Sequence, residues 1–198
     1  MPMRVLAGAL VCALAATSSS AWAPDAAAQK RIAGGQAWAD VSTDAEGAAT
    51  IHSEVDIAAP PRLVWSVLND CARAPRMIGN LERCVVLQGD MRKGWDVREQ
   101  DSKGNLFVPE LHNIVRADYT PYTLVRFRRA GGELMIEDGE WRLEPIDGQS
   151  ATRVIYINRV KARILAPAFL VRAGLRVSTT KVLMNLRREC LSDMAKRV

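Results

Sequence analysis

Apolar and polar positions alternate through "TIHSEVDI" (residues 50–57), the period of a half-buried strand. "AAPP" ends that run. Proline is tolerated in a first helical turn, and "PRLVWSVLNDCA" (61–72) then places apolar residues at 63, 64, 67, 68 and 71, so a helix follows. "RAPRMIGNL" (73–81) predicts a second, short helical turn. "ERCVVLQGD" and "KGWDVREQD" read as strands joined at "GDMRKG". "GNLFVPELHNIVRADY" (104–119) predicts a long strand kinked at Pro109, an edge or bulge position. "TLVRFRRA", "ELMIEDGEWRLEPI" and "ATRVIYINRVKARI" complete the strands, turned at "GG" and "DGQS". Beyond Pro167 the period lengthens. Phe169, Ala173, Val177, Met184, Leu186, Cys190 and Leu191 recur near helical spacing, with basic residues between them.

The predicted order is a strand, two short helices, about six antiparallel strands and one long helix. The fold class is therefore α+β. A meander of six to seven strands with one buried face needs a cover, and the long C-terminal helix is the element able to provide it. Residues 24–49 are rich in Ala and Gly and lack a strong period. Residues 29–49 are expected to be a flexible leader, in which "QAWADVST" forms at most a loose strand, and residues 50–198 form the domain.

Strand alternation sorts the side chains of the last hairpin. Trp141 and Leu143 share one face, with Arg142 and Glu144 on the other; Val154, Tyr156 and Val160 share a face, with Arg153, Arg159 and Lys161 opposite. Trp141, Leu143, Val154 and Tyr156 are thus expected to point inward, toward Phe169, Val177 and Met184 of the helix. These seven residues are the candidate lining of an interior site, and also candidates for plain core.

The start of the chain bears on compartment. Arg4, a twelve-residue apolar run (5–16) and "TSSSAWA" predict a secretory signal within residues 1–28, with cleavage near 21–28. The run is too short to span a bilayer. Removing residues 1–28 takes away Arg4 and Asp25, so the net charge stays at +5. That charge is uneven. From residue 161 to 198 there are nine Lys and Arg against Glu189 and Asp193, a net of +7. A basic C-terminal segment suits an anionic lipid surface, or is a solvated helix face. Export makes nucleic acid an unexpected partner.

Cys71, Cys84 and Cys190 remain after export. Cys71 ends a predicted helix and Cys84 lies on the next strand, so in an oxidising compartment the two form a bridge or stay as buried thiols. Cys190 is expected to be packed in the long helix.

Chemistry-bearing patterns are few. Glu110 and His112 sit on one predicted face of the long strand and, with Tyr156, are the candidates for acid–base work. A solvated pair is the plainer reading of the first two. The carboxylates Glu137, Asp138 and Glu140 around Gly139 read as a solvated bend. There is no P-loop, GxGxxG, CxxC or zinc spacing, so neither cofactor nor metal is expected.

"VDIAAPPRLVWSVLNDCARAPRMIGNLERCVVLQ" (55–88) and "EDGEWRLEPIDGQSATRVIYINRV" (137–160) resemble the START-like, helix-grip proteins, also called SRPBCC. Within them the pattern is similar to the polyketide cyclase/dehydrase and coenzyme-Q-binding START-type branch, in an exported form. The resemblance covers roughly residues 50 to 191. Many members carry an aromatic where Cys71 stands, which favours the bridge to Cys84. The family implies a sheet wrapped on a C-terminal helix, with a cavity between them for a lipid, isoprenoid quinone or polyketide-like molecule. It hosts both carriers and cyclases, so the fold leaves activity open.

Overall fold

The computed structural model describes residues 23–104, 110–163 and 166–196. Residues 1–22 of the predicted signal and the Pro109 kink lie outside the described residues. The elements are α1 (Ala26–Ala33), β1 (Trp38–Thr43), β2 (Ala49–Ile57), α2 (Pro61–Leu68), α3 (Ala74–Met77), β3 (Leu81–Asp90), β4 (Trp95–Ser102), β5 (Leu111–Thr120), β6 (Leu124–Gly132), β7 (Ile136–Ile146), β8 (Ala151–Lys161) and α4 (Ala168–Ala195).

The strands form one eight-stranded sheet in the order β1-β2-β8-β7-β6-β5-β4-β3, each neighbour antiparallel. β2 to β3 is the one crossover, and α2 and α3 carry the chain across. The count exceeds the expected six to seven because the stretch read as a flexible leader contains α1 and β1. Ala37, Ala39 and Val41 are buried there. Alanine alternation gave a weak apolar signal, yet small side chains suit an edge strand lying close under α4, which packs on β1 and β2.

α2 begins at Pro61, where the missing N–H is harmless. Its Leu63, Val64, Trp65 and Val67 are buried. They meet Val55, Ile57, Leu143 and Val154 from the sheet and Leu183, Leu186 and Cys190 from α4 in the main core. Each fully buried aliphatic contributes about 1.5–3 kcal/mol relative to exposure. The C-terminal half of α4 is pinned to α3 by Arg73–Asp193 at 2.6 Å and Arg76–Glu189 at 3.1 Å. Cys71 and Cys84 are disulfide-bonded, tying the end of the α2 segment to β3. Cys190 is a buried free thiol, its pKa pushed up to about 12 chiefly by burial. Among the described residues no helix is long and apolar enough to cross a membrane.

Candidate functional site

The concave face of the sheet is built in rows. Val125, Trp141, Tyr156 and Ser53 stand side by side on β6, β7, β8 and β2; the next row is Phe127, Gly139, Asn158 and Ile51. Beyond it Glu137 faces Val160. The Trp141 and Tyr156 rings lie 4.2 Å apart, and the Phe127 and Tyr156 rings are stacked at 6.1 Å. This aromatic shelf needs Gly139. A Cβ there would stand 2.2 Å from the Ile157 carbonyl oxygen, 2.6 Å from Phe127 Cζ and 2.9 Å from Asn158 Cα.

Polar groups interrupt the shelf at one point. Asn158 Nδ2 donates to the Tyr156 hydroxyl at 2.8 Å. Asn158 is 5% exposed, and its Oδ1 has no hydrogen-bond partner; neither does the buried Oε2 of Glu137. Burial raises the Glu137 pKa to about 7, against the opposing charge of Arg129. Burial, helped by the charge of Glu137, also raises that of Tyr156.

The sheet divides beside these groups. β6 pairs with β7 only as far as Arg128 opposite Asp138, after which β6 continues with β5 and β7 with β8. Gly132, at φ +90°, allows the departure, since a Cβ would meet the His112 carbonyl oxygen at 2.1 Å. Leu134 fills the split, its N–H donating to Asn113 Oδ1 at 3.3 Å. A concavity of about 520 Å³ opens here, lined by Glu110, Leu111, Arg129, Leu134, Met135 and Arg163 among others. A second, of about 390 Å³, lies on the convex face among Arg126, Arg128, Asp138, Glu140 and Arg159. Neither lies between the sheet and the C-terminal half of α4, where main-core side chains fill the space.

The predicted residues separate into groups. Leu143 and Val154 are buried in the main core, and Trp141 and Met184 pack against it. Met184 Sδ accepts from the Ala37 N–H at 3.3 Å, so it faces the α1–β1 connection. Trp141 and Tyr156 face inward and remain partly accessible. Phe169 and Val177, expected to face the interior, are 61% and 56% exposed. The first half of α4 has two apolar sides, and Leu175 supplies the inner one: like Tyr156 and Val160, it packs against the buried Val41, Ala49 and Ile51. Periodicity alone selected the outer side.

Glu110 and His112 are not brought to Tyr156. Glu110 precedes β5 and is exposed. His112 alternates with the buried Asn113 and Val115, which places it on the convex face. Its Nδ1 lies 2.6 Å from Asp101 Oδ1. Nor is "IEDGE" a solvated bend: it runs straight through β7 with Glu137 inward. Sequence reasoning missed Glu137, Asn158 and Phe127 as site residues. Alternation carried the signal, since Glu137 is four residues before Trp141 and Asn158 two after Tyr156.

Two other clusters have chemical potential. Ligand atoms of Glu99, Asp101 and His112 lie within 4.8 Å of one another, types and spacing that suit a divalent ion. Arg83 already pairs with both carboxylates, so a guanidinium meets the need for positive charge. His112 and Arg83 hold the Asp101 carboxyl below its ordinary range. On the concave side Tyr119 donates to Asp96 at 2.8 Å, and Arg98 pairs with Asp96 at 3.0 Å while donating to the Asn69 carbonyl at 3.1 Å. These groups satisfy one another and fasten β4 and β5 to the end of α2.

The family model for polyketide cyclase / dehydrase and lipid transport matches residues 57–187. The chain belongs to that family, and its fold is the START-like helix-grip. Among similar solved structures is a STAR-related lipid transfer protein from Xanthomonas axonopodis, 16% identical over 77% of this chain and 98% of that one, with a TM-score of 0.62. The Zhui aromatase/cyclase from Streptomyces sp. R1128 is 19% identical over 71% of this chain and 92% of its own, at 0.59. Human StAR-related lipid transfer protein 5 is 11% identical over 80% of this chain and 84% of its own, at 0.65. No curated protein sequence matches.

Proposed function

We propose that this chain is an exported protein that binds a hydrophobic small molecule (a lipid, isoprenoid quinone or polyketide-like compound) on the concave face around Trp141, Tyr156 and Phe127. One observation carries the reading. Trp141 and Tyr156 point inward from central strands yet keep part of their surface accessible, where a filled core would bury them. Covering roughly 100 Å² of remaining aromatic surface contributes about 2.5 kcal/mol at 25 cal/mol per Å². Lipid transfer proteins and an aromatase/cyclase among the similar structures fit such a ligand. The acid–base trio Glu110, His112 and Tyr156 lies on separate surfaces, so binding is favoured over a cyclase or dehydrase role.

The ligand is exchanged at an anionic membrane surface through the first half of α4. Phe169, Leu170 and Val177 are exposed there. Helical spacing continues the line of Leu170 and Val177 into Lys181 and Arg188. No carboxylate pairs with Lys181 or Arg188 among the described residues, whereas Glu189 and Asp193 are engaged with α3. Apolar insertion beside basic headgroup contacts is the pattern of an interfacial helix.

The test is a fluorescence titration with anilinonaphthalene sulfonate, displaced by a short-chain isoprenoid quinone, for the wild type and Trp141→Ala. About tenfold weaker probe binding is expected for the variant. Equal affinity in both would place the probe elsewhere and count against this site.

A further inference from the structure

Resting on the reading that an apolar molecule occupies the concave face, we infer that Glu137, Asn158 and Tyr156 form a hydrogen-bonding anchor for a hydroxyl group on that molecule, so the ligand class is an apolar alcohol or phenol.

The anchor is built from the register. Gly139 faces Asn158, and Glu137 is two residues from Gly139 on the same side, so Glu137 and Asn158 are diagonal neighbours across β7 and β8. Tyr156 is the neighbour of Asn158 on the other side and is hydrogen-bonded to it. Asn158 Nδ2 donates to the tyrosine oxygen, which leaves Oδ1 as an acceptor without a partner in a residue 5% exposed. Glu137 Oε2, on the same face, is also a buried atom without a hydrogen-bond partner. Two orphan polar atoms on adjoining strands, at the margin of an aromatic shelf, are uncommon where buried groups are otherwise paired.

The chemistry of the pair narrows the ligand. Asn158 Oδ1 can only accept. Burial favours the protonated form of Glu137, whose carboxyl then donates. A hydroxyl fits both, its O–H donating to Asn158 Oδ1 and its oxygen accepting from the Glu137 carboxyl. A pure hydrocarbon leaves both atoms unmet. A carboxylate ligand would set a second acid against Glu137. The Phe127, Tyr156 and Trp141 rings supply a flat apolar surface beside the anchor.

The test is equilibrium dialysis of two probes, naphthalene and 2-naphthol, against the wild type, Glu137→Leu, Asn158→Leu and Glu137→Gln at pH 5.5. The wild type is expected to bind 2-naphthol at least about tenfold more tightly than naphthalene, the value of meeting buried partners. Each leucine variant should lose that preference while keeping its naphthalene affinity, and Glu137→Gln, which retains a donor, should keep it. Retained naphthalene binding shows that a leucine variant is folded at the site, and Glu137→Leu set against Glu137→Gln carries the test if Asn158→Leu does not fold. Naphthalene binding without a 2-naphthol preference in the wild type overturns the anchor and leaves the concave-face reading intact. A preference that survives both leucine changes overturns it as well. Binding of neither probe overturns the anchor together with the reading beneath it.

Discussion

Replacing Glu137 with glutamine should make the protein more stable at pH 8 and leave it nearly unchanged at pH 4. The side chain is half-buried on the concave face with its Oε2 enclosed, and its pKa rises from an ordinary 4.5 to about 7. Below pH 4.5 the carboxyl is protonated in both the folded and unfolded states. Between 4.5 and 7 the unfolded chain releases the proton while the folded chain holds it, so stability falls as pH rises. Above 7 the loss is complete. At 1.36 kcal/mol per pH unit, the interval of about 2.5 units amounts to roughly 3 kcal/mol. Water that reaches the site at its partly accessible edge reduces this, making 3 kcal/mol an upper figure. Arg129 of β6 and Tyr156 of β8 are the charged and titratable groups that act on Glu137. Glutamine has the same shape, keeps a donor and does not ionise. Urea unfolding of both proteins at pH 4, 6 and 8 gives the difference, in which other titrating groups cancel. The variant should gain on the wild type by about 2–3 kcal/mol from pH 4 to pH 8. A difference that stays flat across that range would refute the buried, proton-holding Glu137.

Three other perturbations follow from the packing. Gly139→Ala forces a methyl group against the Ile157 backbone and the Phe127 ring, so it should cost about 2–3 kcal/mol in urea unfolding and weaken the near-UV circular dichroism of the aromatic shelf. Removing the bridge with Cys71→Ala and Cys84→Ala together opens a cross-link of sequence separation 13, worth roughly 3 kcal/mol and a fall in Tm of about 6–12 °C by calorimetry. Phe169→Asp with Leu170→Asp should abolish co-sedimentation with phosphatidylglycerol vesicles without lowering Tm, since both side chains are exposed, while wild-type binding weakens with added salt.

Much of the fold was legible because successive side chains of its long strands point to opposite faces of the sheet. Trp141, Leu143, Val154 and Tyr156 were assigned inward from that period alone and face inward, and the two-proline helix start located α2. The legible part ended where one pattern served two ends. In the first half of α4, Leu175 and the Phe169–Val177 side are both apolar, and only tertiary packing decides which faces the sheet. β1 was weak because alanines bury well yet signal little. Glu137 and Asn158 were on the inward side by the same alternation that placed Trp141, but polar residue types argued for solvent. His112 and Glu110 drew attention as chemistry-bearing residues, and neither belongs to the concave face.

The most direct measurement is native mass spectrometry of the protein isolated gently from its own cells, followed by organic extraction. The account predicts a discrete adduct of lipophilic mass that is extractable, and that is lost in Trp141→Ala. It also predicts a polypeptide mass two hydrogens below the fully reduced chain, from the single bridge. A preparation carrying only the bare polypeptide, in wild type and variant alike, would contradict a ligand held on the concave face.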